Sequence, residues 1–139
     1  MNNNDCAYCA EGENLDKFGI KIKETPFSKI ILFREQSHPG RLIVASKQHV
    51  DEIWQLSDAE RTGFTADIAA AAKALHKAYA PQKINYGAYG DTMHHLHFHL
   101  VPKYQDAFEW GTVFAMNPGL VALTEAEYAA MAERILAVW

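Results

Sequence analysis

The chain has 139 residues and a mass of 15.6 kDa, and 49% of its residues are apolar, which is enough for one core but not for two. We therefore expect residues 1–139 to form a single domain. The net charge of -4, from 13 Lys and Arg against 17 Asp and Glu, argues against general nucleic-acid binding, which requires a basic face.

The N-terminus carries the first informative residues. Residues 1–5 lack the basic flank and apolar stretch of a signal peptide, and no run of about 18 apolar residues is present to cross a membrane. We therefore expect a cytoplasmic protein with no membrane-spanning segment. In such a chain the two cysteines, Cys6 and Cys9, indicate metal or redox chemistry before a structural disulfide, and free thiols remain an alternative.

Three strands are predicted next along the chain. Isoleucines alternate with lysines over residues 20–22, and short apolar runs follow at residues 30–33 and 42–45, the last after Pro39 and Gly40. These patterns predict strands that are joined by turns.

Two helices are predicted from capping signals. Ser57 and Glu60 have the spacing of a capping box, as do Thr124 and Glu127. Apolar residues then recur at steps of three and four, and Pro81 ends the first pattern after roughly six turns. Each helix is expected to pack by its apolar stripe.

Between the helices, residues 83–89 and 94–102 are predicted to be strands on either side of a turn at Gly90 and Asp91. The total is five strands and two helices. Because the strands follow one another in hairpin order, an α+β fold with an antiparallel sheet and helices on one face is favoured over a parallel α/β fold.

The second of these strands carries four of the seven histidines within residues 94–99. Side chains alternate between the faces of a strand, so His95, His97 and His99 are expected on one face and large apolar residues on the other. Near pH 7 such a row can supply a neutral nucleophile beside a protonated neighbour. His94 has the parity of the core face and is predicted to pack there or to support the site residues from behind, whereas His38 and His76 are predicted to be surface residues.

The sequence from His95 to Val101 resembles the His-φ-His-φ-His-φ-φ signature of the histidine triad (HIT) family, where φ is apolar. Residues 46–49, 56–60 and 101–103 resemble the strand end, helix start and strand exit of the same family, so the similarity extends from Cys6 to about Tyr104. The resemblance implies a HIT-like α+β fold, a homodimer and a small-molecule nucleotide substrate. It also implies cleavage at the phosphorus attached to a nucleoside, by hydrolysis or transfer.

The resemblance assigns roles to individual residues. His97 would attack the phosphorus and form a covalent nucleotidyl-histidine, His99 would donate to the phosphate oxygens, and His95 completes the catalytic triad. Residues implied to bind the substrate are Asn85, Gly90, Asp91, Thr92 and Glu35. Asp91 stands where the family usually has glutamine; it would repel phosphate if it pointed inward, so we expect it to face solvent, bind a cation or mark a different leaving group.

A branch of the family carries a zinc site, and the resemblance implies that Cys6, Cys9, His49 and His95 hold one structural Zn²⁺ here. Two other functions remain open. His95 and His97, with His49, could themselves hold a catalytic zinc, or the protein could bind nucleotides without turning them over. Trapping of a phosphorus label on the protein, chelation and turnover would distinguish these alternatives. The triad contacts only the nucleotidyl part of a substrate, so the leaving group and the base preference stay open.

Overall fold

The computed structural model describes residues 5–139, so residues 1–4, on which part of the signal-peptide argument depends, lie outside the described part of the chain. Its strands are β1 (Gly19–Glu24), β2 (Ser28–Phe33), β3 (Leu42–Ser46), β4 (Lys83–Gly87) and β5 (His97–Lys103). They form one antiparallel sheet in the order β1-β2-β3-β5-β4. The helices are α1 (Ala7–Ala10), α2 (Gly12–Asp16), α3 (Asp58–Tyr79) and α4 (Glu125–Leu136), with a 3-10 turn at Ile53–Gln55. The predicted α+β class is confirmed.

Both predicted capping boxes are formed. The Ser57 hydroxyl accepts a hydrogen bond from the Glu60 amide at 3.2 Å, and the Glu60 carboxylate accepts one from the Ser57 amide at 2.9 Å. Thr124 and Glu127 make the same pair of contacts at the start of α4. The α3 helix ends at Tyr79, two residues before Pro81, as predicted. No helix within residues 5–139 is both long enough and apolar enough to cross a membrane.

One face of the sheet packs against α3 and α4 and forms the larger core. The side chains that fill it alternate along the strands and recur along the helices. The main contributors are Ile30, Leu32, Leu42, Val44, Leu100, Phe64, Ile68, Leu75, Tyr128 and Ile135. This face therefore buries the apolar stripes that the sequence predicted.

The opposite face of the sheet carries the histidines. Ile43 of β3 pairs with His99 of β5, and Ala45 pairs with His97, so these four side chains share a face. The short helices α1 and α2 cover part of this face, and Tyr8 and Leu15 from this segment pack there with Ile31 and Phe33. The alternation along β5 thus separates imidazoles from core side chains.

The connection between β4 and β5 differs from the prediction. β5 begins at His97 rather than at residue 94, and residues 88–96 form a loop rather than a tight turn. The carbonyl of Leu96 still accepts from the amide of Ser46, the last residue of β3, at 3.0 Å. The physical reason for the later start is that the Leu96 amide donates to the Val50 carbonyl, beyond the end of β3, at 2.7 Å. Gly90, with φ of 81°, redirects the backbone within this loop.

Candidate active site and metal centre

His97 and His99 line a cavity of about 280 Å³ on the face of the sheet opposite α3, close to the smallest volumes typical of small-molecule sites. The other walls come from the N-terminal segment, the ends of β2 and β3, and two loops. The lining residues besides the two histidines are Tyr8, Phe18, Phe33, Ile43, Tyr89, Gly90, Asp91, Thr92, Met93, Met116 and Asn117. The cavity therefore combines apolar lining residues with two imidazoles.

The backbone fixes which nitrogen of the neutral His97 ring carries the hydrogen. Its Nδ1 lies 2.6 Å from the carbonyl oxygen of His95, and because a carbonyl can only accept, Nδ1 carries the hydrogen. Burial lowers the pKa of His97, although this hydrogen bond acts in the opposite direction, so the ring is neutral near pH 7. Nε2 consequently keeps an unprotonated lone pair.

The His99 ring lies 5.3 Å from that of His97, measured between centroids. Its Nδ1 lies 3.1 Å from Nη2 of Arg41, a fully buried residue directly before β3. Burial and the Arg41 charge lower the pKa of His99 to about 3. Sequence analysis did not identify Arg41; the only local signal is an arginine directly before the apolar run at residues 42–45.

Cys6, Cys9, His49 and His95 come together beside this cavity, and their ligand atoms all lie within 4.8 Å of one another. The Sγ–Nδ1 distances are 3.3 Å for Cys6–His95, 3.3 Å for Cys9–His49 and 3.5 Å for Cys9–His95. Around a tetrahedral zinc, adjacent sulfur and nitrogen ligands lie roughly 3.5 Å apart. Two thiolates and two imidazoles at these separations fit one zinc ion, and the predicted ligand set is confirmed.

His95 is oriented toward the metal site rather than toward the cavity. Its Nε2 lies 2.7 Å from the Ser46 carbonyl oxygen and must donate to it, which leaves Nδ1 unprotonated. That Nδ1 lies 3.1 Å from Nδ1 of His49, as two ligands of one ion would. Burial lowers the pKa of His95 to about 4. The structure therefore divides the predicted row of three histidines into one metal ligand and two cavity residues.

Tyr8 connects the metal centre to the cavity. It stands between the two cysteines in the sequence, and its ring packs against His95 and His97 at centroid distances of 5.2 and 4.8 Å. The side chain is buried, yet its hydroxyl makes no hydrogen bond with any of residues 5–139. Sequence analysis did not identify Tyr8, whose position inside the Cys-x-x-Cys motif is the one signal that could have done so.

Gly90, Asp91 and Thr92 lie at the rim of the cavity in the loop before β5. Asp91 and Thr92 are exposed, and the left-handed backbone of Gly90 lets the loop turn toward His97 and His99. The structure thus brings these three predicted residues together with the two histidines.

Two other predicted residues lie outside this cavity. Glu35 lines a neighbouring cavity of about 480 Å³, where its carboxylate accepts hydrogen bonds from the amides of Ser37, Leu120 and Val121 and from the Ser37 hydroxyl. Asn85 lies on β4 opposite Val101, two pairing positions from Gly87 and His99 and on the same face, and it lines a separate hollow.

Two of the other three histidines differ from prediction. His38 is buried, with Nε2 2.7 Å from Oε1 of Glu109, so its assignment to the surface is wrong. His94 is exposed and precedes β5, so strand parity does not apply and the prediction that it packs in the core is wrong. His76 is exposed on α3, as predicted.

Comparison with known proteins identifies the class. The sequence model of the HIT domain family matches residues 19–106, and the chain belongs to the HIT family. A comparison with curated proteins finds no match.

Solved structures of several HIT proteins share this fold. A HIT protein from Sinorhizobium meliloti 1021 superposes with a TM-score of 0.84 at 24% identity, covering 92% of this chain and 95% of that one. A histidine triad protein from Marinobacter aquaeolei VT8 gives 0.83 at 19% identity, covering 92% and 93%. A Zn-bound histidine triad family protein from Mycobacterium smegmatis gives 0.70 at 19%, covering 98% and 96%. The predicted HIT fold is confirmed.

Proposed function

We propose that this protein is a nucleotide hydrolase or nucleotidyl transferase that cleaves at a nucleoside-linked phosphorus through a covalent intermediate on His97. The observation that carries the proposal is the 2.6 Å contact between Nδ1 of His97 and the His95 carbonyl oxygen. It holds the hydrogen on Nδ1 and keeps the Nε2 lone pair available in a cavity that can take a small ligand.

The reaction has two displacements. In the first, Nε2 of His97 forms a bond to phosphorus while the bond from phosphorus to the leaving group breaks, and the leaving group keeps that electron pair. The modified ring is an imidazolium whose Nδ1–H remains bonded to the His95 carbonyl. In the second, water attacks phosphorus, the P–N electron pair returns to Nε2 and one proton is released. Attack by an alcohol or a phosphate in place of water gives transfer.

The other predicted residues support this chemistry from their observed positions. His99 donates to a phosphate oxygen as negative charge develops, and the amides around Gly90, Asp91 and Thr92 form an anion cradle at the rim. Oε1 of Glu35 receives one hydrogen bond, from the Ser37 amide, so it retains an acceptor position for a sugar hydroxyl.

We propose that the Asn85 side chain contacts the leaving group of the substrate. Its hollow shares Tyr89 with the cavity that contains His97 and His99. An amide side chain there can donate to or accept from a second polar group of the substrate.

The zinc held by Cys6, Cys9, His49 and His95 is proposed to be structural. These four residues would fill all four positions of a tetrahedral ion, and His97 is not among them, which disfavours a hydrolase that uses His95 and His97 as catalytic ligands. When bound, the ion would join the N-terminal segment to the residues that precede β5 and keep His95 unprotonated at Nδ1.

A homodimer, a single domain over residues 1–139 and a cytoplasmic location complete the proposal. These three expectations come from the family resemblance and the composition. Size-exclusion chromatography with light scattering would test the first of them.

A quench experiment tests the mechanism. The zinc-loaded protein is mixed with an adenosine phosphoramidate or diadenosine tetraphosphate labelled at the α-phosphorus, and the reaction is stopped with denaturant during turnover. We expect an acid-labile label on the wild type and on His94→Gly, an exposed matched control, but none on His97→Gly.

Turnover without any trapped label, lost when metal is removed, would support a metallohydrolase and contradict the proposal. Tight binding without release of a mononucleotide would instead indicate a non-catalytic nucleotide-binding module.

A further inference from the structure

Arg41 is a cation buried beside the cavity without a carboxylate partner. Its guanidinium lies between the rings of Phe33 and Phe114, at 4.2 and 5.0 Å from their centroids. Within residues 5–139 no carboxylate lies within ion-pair distance of it. Burial lowers the pKa of Arg41 to about 10, so it stays charged near pH 7. Buried charges without an ion-pair partner are costly, and Glu35 and Glu109 act on Arg41 only from beyond ion-pair distance, which points to a role beyond packing.

The hydrogen bonds of the Arg41 guanidinium determine which nitrogen of His99 carries the hydrogen. Nη1 and Nη2 donate to the carbonyl oxygens of Ala115 and Met116, at 3.2 and 2.8 Å, and Nη2 also lies 3.1 Å from Nδ1 of His99. A guanidinium has only donors, so Nδ1 of His99 must accept and the hydrogen of that neutral ring must be on Nε2. Arg41 Nε has no partner among the described residues.

The two cavity histidines are therefore held in opposite tautomers. A carbonyl, which only accepts, puts the hydrogen of His97 on Nδ1. A guanidinium, which only donates, puts the hydrogen of His99 on Nε2. One ring then offers a lone pair and its neighbour offers an N–H, which is the division of roles that attack on a phosphate requires.

We propose that Arg41 is a positioning residue: it fixes His99 as the Nε2–H tautomer that donates to the substrate phosphate, and it supplies the buried positive charge of the anion site. This inference rests on the proposed function for its phosphate ligand. The charge matters because the protein is acidic overall, with a net charge of -4, and has no general attraction for anions. A charge near a low-dielectric cavity acts on a bound phosphate with little screening.

The tautomer is tested in the free, zinc-loaded protein by ¹⁵N NMR of the histidine side chains. In the wild type we expect Nδ1 of His99 to have the shift of an unprotonated nitrogen and Nε2 that of a protonated one. In Arg41→Met the two shifts should move toward each other. In Arg41→Gln, whose amide can still donate, they should stay apart. Unchanged His99 shifts in folded Arg41→Met would overturn the inference.

The charge is tested by titrating the same proteins with AMP. We expect at least a tenfold loss of affinity in both Arg41→Met and Arg41→Gln, and a smaller loss in Arg41→Lys, which keeps the charge. Arg61→Met, on α3 across the sheet, is the matched control and should bind AMP like the wild type. Equal affinities in the wild type and Arg41→Gln would overturn the role of the charge.

These readouts separate the inference from the proposed function. If the wild type turned over no nucleotide, the proposed function would fail, while the NMR experiment would still decide whether Arg41 sets the tautomer. If Arg41→Met does not fold, the wild-type spectrum still decides the tautomer, because a protonated Nδ1 of His99 there would overturn the inference, and Arg41→Gln and Arg41→Lys carry the test of the charge. With substrate, loss of the tautomer should lower kcat more than it raises KM, because the His99 donor acts on charge that develops in the transition state.

Discussion

Replacement of Tyr8 by alanine tests whether the metal centre and the cavity form one cooperative unit. Tyr8 lies in α1, between two metal ligands, and its ring packs against both His95 and His97. The helices α1 and α2 have only four and five residues, which is too short for either to be stable alone. We therefore expect that zinc and the packing of Tyr8 together hold this segment on the sheet.

The magnitude follows from the burial of the ring. Tyr8 is 1% exposed, and truncation of a buried aromatic side chain to alanine lowers the free energy of unfolding by about 3 to 5 kcal/mol. Burial of roughly 150 to 250 Å² at about 25 cal/mol per Å² gives a similar value, about 4 to 6 kcal/mol. Tyr8→Phe removes only a hydroxyl with no hydrogen bond to the described residues, so a loss below about 1 kcal/mol is expected.

Urea unfolding, followed by tryptophan fluorescence, measures these changes with excess zinc and again with a chelator. With zinc, Tyr8→Ala should lose about 3 to 5 kcal/mol relative to the wild type. With the chelator this difference should fall below about 1 kcal/mol, because the segment is then released in both proteins. An equal loss under both conditions would refute the coupling. A loss below about 1 kcal/mol with zinc present would refute the packing of Tyr8 itself.

Two further predictions concern the metal ligands and Glu35. The wild type and His94→Ala should each retain one zinc per chain after gel filtration. Cys9→Ser should bind zinc at least about tenfold more weakly, as measured by competition with a chromophoric chelator. Wild-type zinc affinity in Cys9→Ser would contradict the site. Burial alone would raise the pKa of Glu35, but hydrogen bonds from Val121, Ser37 and Leu120 outweigh it and hold the pKa below its usual range. The ionised Glu35 carboxylate therefore stabilises the folded protein fully above about pH 4.3, the pKa of glutamate in the unfolded chain. This stabilisation is lost as the pH falls through the lower pKa that Glu35 has in the folded protein. Urea midpoints of the wild type and Glu35→Gln should therefore differ at pH 7 and converge below pH about 4, and a constant difference would count against this account.

Features with a local repeat could be predicted from the sequence. The alternation from His97 to Val101 predicts which side chains share a face, because strand geometry alone determines it. The capping boxes at Ser57 and Thr124 are also local, since each joins residues three positions apart. The start of β5 could not be predicted in this way, because it depends on the pairing of Leu96 with Val50, 46 positions earlier in the chain.

Residues with distant partners could not be predicted from local pattern. The sequence around His38 indicates a surface residue, because its hydrogen-bond partner Glu109 lies 71 positions away in the chain. Arg41 meets His99 across 58 positions, and Cys6 meets His95 across 89. The metal ligands were nevertheless predicted, because resemblance to a family carries information about long-range contacts that the spacing of Cys6 and Cys9 does not contain.

The same limit explains why two identical side chains on one strand can have different chemistry. His97 and His99 have the same residue type, the same face and similar burial, so nothing in the histidine pattern distinguishes a nucleophile from a donor. The difference comes from what the Nδ1 of each ring contacts. For His97 it is a carbonyl two residues back on the same segment, and for His99 it is the guanidinium of Arg41, the residue directly before β3. If Arg41 sets the tautomer, the reactive character of this site is decided by the residue directly before β3, outside the motif that identifies the family.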